Sequence, residues 1–532
     1  MKQIGVKQQF SMKSGASVLA VCSVVAKLLG ALYRVPLTNV LGAEGMGLYQ
    51  LVFPVYALFM MLSSVGIPTA LSRIVAEQRA MCNGAKKYLF ACMLTLITLS
   101  TIATILVATL AKYIALWQGN EVAYKGFWII APSLMFVGAI AGFRGWFQGE
   151  MYMLPTALSN IIEQVVKLAL GLALSIVFSK RGMIYAVYGA LFGVTASEFC
   201  ALVYMFVTYV VRTRRNEKET LKFSRVELVG VFRTAFPIAI VAVLLPLSNF
   251  FDSIIVVNML KLFGFSKEVA TWQYGILSGP VNSLVNMPVV IALSLAIAIV
   301  PSVSVSRVER DVDAIMTKSR IAIKLTYLLG IPFAVFFIVL GGKLLGAIYP
   351  RLSGEQLLIA KNLLRIEAIN VVTLSSMQIY VSLLQAVDKT KKAVASLGIA
   401  IALKTVLQIV LTRYIGIFGA GIASVCMGFT ALLMVSASYF QVCGLHLEKS
   451  VGINLLVGVI MGLAGIVATY IENDIISVVV GAAICIFVYT FAVFLFGLIG
   501  KEEMANFPAG KILQKIHRVV RFWEYKDAQN RL

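Results

Sequence analysis

The chain has 532 residues, of which 60% are hydrophobic and 13% charged, with a formal net charge of +22. A soluble chain carries about 25% charged residues, and no solvated fold has enough interior for this much apolar surface, so the surrounding solvent is lipid. Apolar runs of roughly 20 residues, without the alternation of membrane strands, recur along the chain, which excludes a β-barrel and predicts an all-α polytopic membrane protein of about fourteen spanning helices.

The first predicted span, 14–34, is not a cleaved leader, because it lacks a small-residue cleavage site and carries Lys27 near its middle. Within it Ser23, Lys27, Gly30 and Arg34 follow i, i+4, i+7, i+11 spacing and share one helix face. The segment from Gly42 to Gly47 reads as a tight outer turn. It resembles a nucleotide loop only superficially, with no strand-turn-helix setting and no Walker lysine. Spans 46–68, 88–111 and 126–147 follow. In span five, 155–178, Asn160, Glu163, Gln164 and Lys167 form a second polar stripe, with Glu163 and Lys167 as an i,i+4 ion pair in the favourable order. Span six, 184–211, holds Glu198, and span seven, 229–257, holds Asn249 and Asp252.

Pro237, Pro246, Pro280 and Pro288 interrupt spans seven and eight (273–300), either as bends around a cavity or as static kinks. After 321–340, span ten (361–387) carries Glu367, Asn370, Gln378, Ser382 and Gln385 along one side, with Arg365 near its outer end. Span eleven, 393–413, holds Lys404 and Gln408. Spans 417–443, 450–471 and 475–499 complete the set, and the last two carry no charge apart from Glu472 and Asp474 at their connecting loop. The tail after Gly500 reads as a basic amphipathic helix resting on the anionic inner leaflet.

With the N-terminus inside, 31 of the 46 Lys and Arg fall in cytoplasmic segments and ten in outer loops. That asymmetry is what the positive-inside rule demands, and it puts both termini in the cytoplasm. The basic excess therefore answers to membrane orientation and not to nucleic acid. No CxxC pair or multi-histidine set occurs, His446 and His517 standing alone, so neither metal nor cofactor is expected.

The two halves match. Gln148 and Lys167 recur as Gln385 and Lys404, 237 residues on in both cases. Pro68 with Ser72-Arg73 recurs as Pro301 with Ser306-Arg307, and Gly189-Ala190 as Gly419-Ala420. Six spans per repeat is even, so the repeats run parallel, with a site between two lobes. The expected division is 1–215 and 216–445 as six-helix lobes, 446–500 as two extra helices and 501–532 as the tail.

An ionisable group at mid-bilayer is costly unless it faces a cavity or a partner. The deep cations are Lys27, Arg34, Lys167 and Lys404, with Ser23, Glu163, Gln164, Asp252, Glu367 and Gln408 as polar companions. These groups either line a cargo path or serve as glue between helices, and Arg34 and Arg365, near span ends, can snorkel. Lys167 has Glu163 one turn away, whereas Lys404 has only neutral Gln408 on its own helix. Lys404 is thus expected to be the freer cation and the stronger cargo contact, with Lys167 partly structural.

The stretches Lys27-Leu28-Leu29-Gly30-Ala31-Leu32-Tyr33-Arg34 and Leu41-Gly42-Ala43-Glu44-Gly45-Met46-Gly47-Leu48-Tyr49-Gln50 resemble the first-helix signature of polysaccharide-lipid exporters. So does Gly66-Ile67-Pro68-Thr69-Ala70-Leu71-Ser72, and Arg144-Gly145-Trp146-Phe147-Gln148-Gly149 resembles the end of their fourth helix. Over residues 10–445 the chain is similar to the multidrug/oligosaccharidyl-lipid/polysaccharide exporter superfamily, within it to the stage V sporulation protein B and MurJ-type branch. The resemblance implies a V-shaped two-lobe transporter working by alternating access. It implies a flippase in a bacterial cytoplasmic membrane, carrying lipid II or another undecaprenyl-pyrophosphate-linked saccharide. It also implies that Lys27 and Arg34 bind the pyrophosphate and that the two extra helices offer a groove for the lipid tail.

Val35-Pro36 follows Arg34 where MurJ-type proteins commonly have an acidic residue, which leaves the glycan open. Such a protein is expected not to be an enzyme, to act as a monomer, and to draw on a cation gradient, the membrane potential or its cargo's own gradient. A multidrug exporter of cationic amphiphiles is the alternative. It needs uncompensated acids where this chain has cations. A glycan polymerase would want a larger outer loop, and a non-transporting scaffold of wall synthesis is a further alternative.

Overall fold

The structure, a computed structural model, describes residues 2–498 apart from 65, 82–84, 214–224, 353 and 445–448. The expected amphipathic tail, both histidines and most of the basic 212–225 connection lie outside the described residues. The elements are α1 (Lys2–Ser64), α2 (Gly66–Ala80), α3 (Lys86–Trp117), α4 (Tyr124–Gly149), α5 (Leu154–Val166), α6 (Leu172–Ser179), α7 (Met183–Thr213) and α8 (Arg225–Phe263). Then come α9 (Lys267–Ile276), α10 (Asn282–Val308), α11 (Val312–Ile348), α12 (Glu355–Ala386), α13 (Thr390–Ile415), α14 (Ile417–Cys443), α15 (Lys449–Thr469) and α16 (Asp474–Leu495). Among the described residues there is no strand. A bilayer offers the backbone no hydrogen bonds, so each apolar run satisfies its own as a helix.

Twelve helical stretches among the described residues are long and apolar enough to cross a membrane. One of them, Val25–Arg79, is two runs joined at Gly42, whose φ of 68° only glycine adopts without strain, so the expected tight turn is present inside α1. With α12, which is 32 residues long, these stretches account for the fourteen spans expected. Large apolar side chains such as Leu463 and Phe487 stand exposed, as lipid-facing residues do.

Two of the spans contain π-helical turns, Lys167–Gly171 between α5 and α6 and Leu277–Val281 between α9 and α10. The second contains Pro280, and the wider turn absorbs the donor that proline lacks. Pro237 and Pro246 lie inside α8, and Pro288 inside α10, without ending either helix.

The chain packs as two compact units, Met1–Val290 with Lys389–Ala431, and Ile291–Asp388 with Leu432–Leu532. In the first, Leu71, Val75, Leu89, Leu96, Ile140 and Phe147 form a core where α2, α3, α4 and α7 meet. In the second, α15 and α16 pack on α11 through Leu328, Val457 and Val493 and through Leu340, Met461 and Cys485.

The repeat register is visible in packing. A Cβ at Gly189 would collide with the backbone of Leu174 and Ser175, and one at Gly419 with that of Leu411 and Thr412. Leu411 and Thr412 stand 237 residues after Leu174 and Ser175, the same interval that separates Lys167 from Lys404. Met151 (φ 57°) and Asp388 (φ 62°) are left-handed turn residues at that interval too. In each repeat an arginine closes on an acid beyond the fourth helix: Arg79 with Glu150 at 2.6 Å, and Arg307 with Asp388 at 3.2 Å.

Candidate functional site

In the first unit α1 packs against α5 and α8, and α8 in turn against α13. This brings Ser23, Lys27, Arg34, Glu163, Gln164, Lys167, Asp252, Lys404 and Gln408 onto four neighbouring helices. Glu367 belongs to the second unit, where its Oε2 accepts from Asn370 at 2.5 Å and Asn370 Oδ1 accepts from Thr373 at 3.1 Å.

The α1 stripe forms as its spacing predicts. Ser23, Lys27 and Arg34 are half-buried. Gly30 lets α5 come close, since a Cβ there would lie 2.9 Å from Gln164 Oε1. Arg34 lies over the Phe53 ring, 5.9 Å from its centroid. Among the described residues neither Lys27 nor Arg34 has an ion-pair partner, so neither charge is neutralised by a carboxylate there.

On α5, Glu163 accepts from three donors: Lys167 Nζ at 3.4 Å, Gln164 Nε2 at 2.8 Å and Arg144 Nη2 at 3.2 Å. Arg144 also donates to Ser159 Oγ at 2.9 Å, which fixes its guanidinium at the end of α4. Sequence reading paired Glu163 with Lys167 and counted Arg144 among the cytoplasmic residues. The partnership of Arg144 with Glu163 crosses between α4 and α5, so no helical spacing could reveal it. Glu198 is likewise partnered, accepting from the Tyr56 hydroxyl at 2.9 Å.

The expectation for Lys404 is corrected. Its Nζ donates to Asp252 Oδ2 at 2.6 Å and to Ser248 Oγ at 3.2 Å, and the side chain is only 7% exposed. Lys404 is therefore a buried member of an ion pair, no freer than Lys167. Its partner lies 152 residues away in sequence, on α8, where no reading of α13 alone could find it. Gln408, one turn on, is fully buried, with its Oε1 unpartnered among the described residues.

Arg144 and Lys167 thus surround Glu163 and Lys404 pairs with Asp252, while Lys27 and Arg34 have no acidic partner among the described residues. This balance suits an anion better than a cation. Just past the outer turn predicted within α1 and at the outer end predicted for α3, a polar seam ties them to α8, α9 and the turn after α9. Gln118 Nε2 donates to the Leu51 carbonyl at 2.7 Å and to Ser253 Oγ at 2.9 Å. Asn120 Nδ2 donates to Thr271 Oγ1 at 2.9 Å, and Gln50 Nε2 to the Ser278 carbonyl at 2.6 Å. Bonds of this kind are individually weak, about 0.6 kcal/mol on average in a membrane, so such a seam can open without unpairing a charge.

Residues 12–307 match the model of a family described as polysaccharide biosynthesis protein. The chain is 27% identical over 509 residues to stage V sporulation protein B of Bacillus subtilis (strain 168), covering 93% of this chain and 97% of that one. It is 24% identical over 526 residues to the lipid II flippase MurJ of the same organism, covering 92% and 96%. Among solved structures it superposes on a lipid II flippase MurJ in an inward closed conformation with a TM-score of 0.72 at 16% identity, covering 90% of this chain and 98% of that chain.

Proposed function

We propose a function on this premise: the chain belongs to the polysaccharide biosynthesis protein family. The proteins similar to this chain include a lipid II flippase, and the reading carried here is that this protein flips a lipid-linked anionic saccharide across the bacterial cytoplasmic membrane. The cargo is of the undecaprenyl-pyrophosphate type, lipid II or another wall or surface-polysaccharide precursor. The protein breaks no bond in it and is a transporter, not an enzyme.

The observation that carries the reading is the pair of cations, Lys27 and Arg34, that share one face of α1 and have no acidic partner among the described residues. A diphosphate leaving water needs charge-assisted donors, each worth roughly 1.5–3 kcal/mol. A cation already paired to a carboxylate would have to surrender that partner first. Lys27 and Arg34 take the diphosphate directly, and Ser23 and Gln164 line its path. Lys167 and Arg144 share Glu163 and add positive field behind them. Lys404 contributes through its fixed pair with Asp252, and Glu367 and Gln408 supply neutralising and hydrogen-bonding groups further along.

The division proposed is two six-helix lobes, 1–215 and 216–445, with 446–500 as the tail groove and 501–532 on the inner leaflet. Both termini lie in the cytoplasm by the asymmetry of basic residues. The seam between α1, α3, α8 and α9 supports alternating access, since it must break for cargo to leave on the outer side. A monomer suffices, driven by a cation gradient or the membrane potential.

The test is complementation of a conditional lipid II flippase depletion, with chemical trapping of the precursor on each leaflet. Rescue with outward accumulation of precursor supports the reading. Rescue failure, together with no flipping of any diphosphate-linked saccharide by purified protein in vesicles, refutes it.

A further inference from the structure

The second unit holds a cavity of about 550 Å³ whose basic residues the carrier reading does not use. It opens where α11 ends and α12 begins, and the turn between α15 and α16 closes one side. Lys343, Lys361, Arg365 and Asp474 line it, with Val339 and Leu358 as apolar wall. Lys343 is spoken for: it pairs with Asp474 at 3.1 Å and donates to the Glu472 carbonyl at 3.2 Å. Lys361 and Arg365 are not. Neither has an acidic partner among the described residues, although they stand at i,i+4 on one helix face, a spacing at which like charges repel. The Lys361 stem lies across Gly342, where a Cβ would meet its Cδ at 2.8 Å. Arg365 is exposed toward the opening.

We infer that this cavity binds the phosphate of a membrane-lipid headgroup, with Lys361 and Arg365 as its ligands and the Leu358 wall against the first carbons of the chain. Two repelling cations held over an amphipathic cavity, at the end of membrane helices, match the chemistry of an anionic headgroup at the bilayer surface. The site belongs to the second unit, whereas Lys27 and Arg34 belong to the first, and lipid binding there requires no flipping.

Purified full-length protein in detergent is titrated by calorimetry with short-chain phosphatidylglycerol, short-chain phosphatidylcholine and inorganic pyrophosphate. Phosphatidylglycerol should bind more tightly than the zwitterionic lipid. A K361Q/R365Q variant should weaken that binding about 30-fold, as expected for two basic residues near a lipid surface. A K361R/R365K variant should retain it, which rules out mere unfolding. Binding of pyrophosphate with the same dependence on Lys361 and Arg365 would show that the phosphate is read without the lipid. Phosphatidylglycerol binding that survives K361Q/R365Q but disappears in R34A places the anion in the carrier path and overturns the proposal. Equal binding of both lipids also overturns it.

Discussion

Replacing Lys404 by Met removes one half of the Lys404–Asp252 pair while keeping most of the side-chain volume. Breaking a fully buried pair costs about 3–5 kcal/mol, because the remaining charge is stranded. Here Lys404 is 7% exposed and Asp252 19% exposed, so water or headgroups relieve part of that cost. Single hydrogen bonds between membrane helices set a floor of about 0.6 kcal/mol. The expected loss lies between, at about 2 kcal/mol, or about 30-fold in the folded-to-unfolded ratio. D252N should cost a similar amount, and the D252N/K404M double variant should cost less than the sum of the two, with a coupling of about 1 kcal/mol or more. The assay is unfolding in mixed micelles by titration with a denaturing detergent, run on all four proteins, beside a vesicle flipping assay. If K404M stays within about 0.5 kcal/mol of wild type yet flips nothing, Lys404 is a cargo ligand first and the buried-pair argument is refuted.

Three further outcomes are expected. K27A and R34A should each abolish flipping while the protein accumulates in the membrane at normal amounts, read by immunoblot of washed membranes and by precursor trapping; full activity in either would mark that residue as a snorkeller or as glue. Gly189→Leu and Gly419→Leu should each cost about 2 kcal/mol or more by overpacking against the backbone of the preceding span, read as a lowered melting temperature, and the two should behave alike because they occupy the same place in the two repeats. Cysteines placed within 212–225 should resist an impermeant thiol reagent in intact cells, whereas cysteines within 343–361 should react; the reverse pattern would invert the topology.

How much of this molecule can be read along the chain depends on how far apart the partners are. Span number follows from hydropathy, because a bilayer enforces one answer on every apolar run of sufficient length, whereas helix ends do not, α11 running Val312–Ile348 past both ends of its apolar run. The break at Gly42 and the stripe of Lys27 and Arg34 are equally local, being set by backbone conformation and by the 3.6-residue period. The repeat is legible as well: a single interval of 237 residues relates Lys167 to Lys404 and the packing points of Gly189 to those of Gly419. Which charges are free is a different kind of question. The spacing of Glu163 and Lys167 showed one ion pair, yet Arg144 joins it from another helix at 3.2 Å, and Lys404, neutral-flanked along its own helix, is cancelled by Asp252. Charge pairing is decided by distance across helix interfaces, and the helix that approaches is chosen by the packing of many residues at once. The sequence determined that cations would be buried in this membrane protein; only the tertiary structure decided that Lys167 and Lys404 are paired with acids and that Lys27 and Arg34, among the described residues, are not.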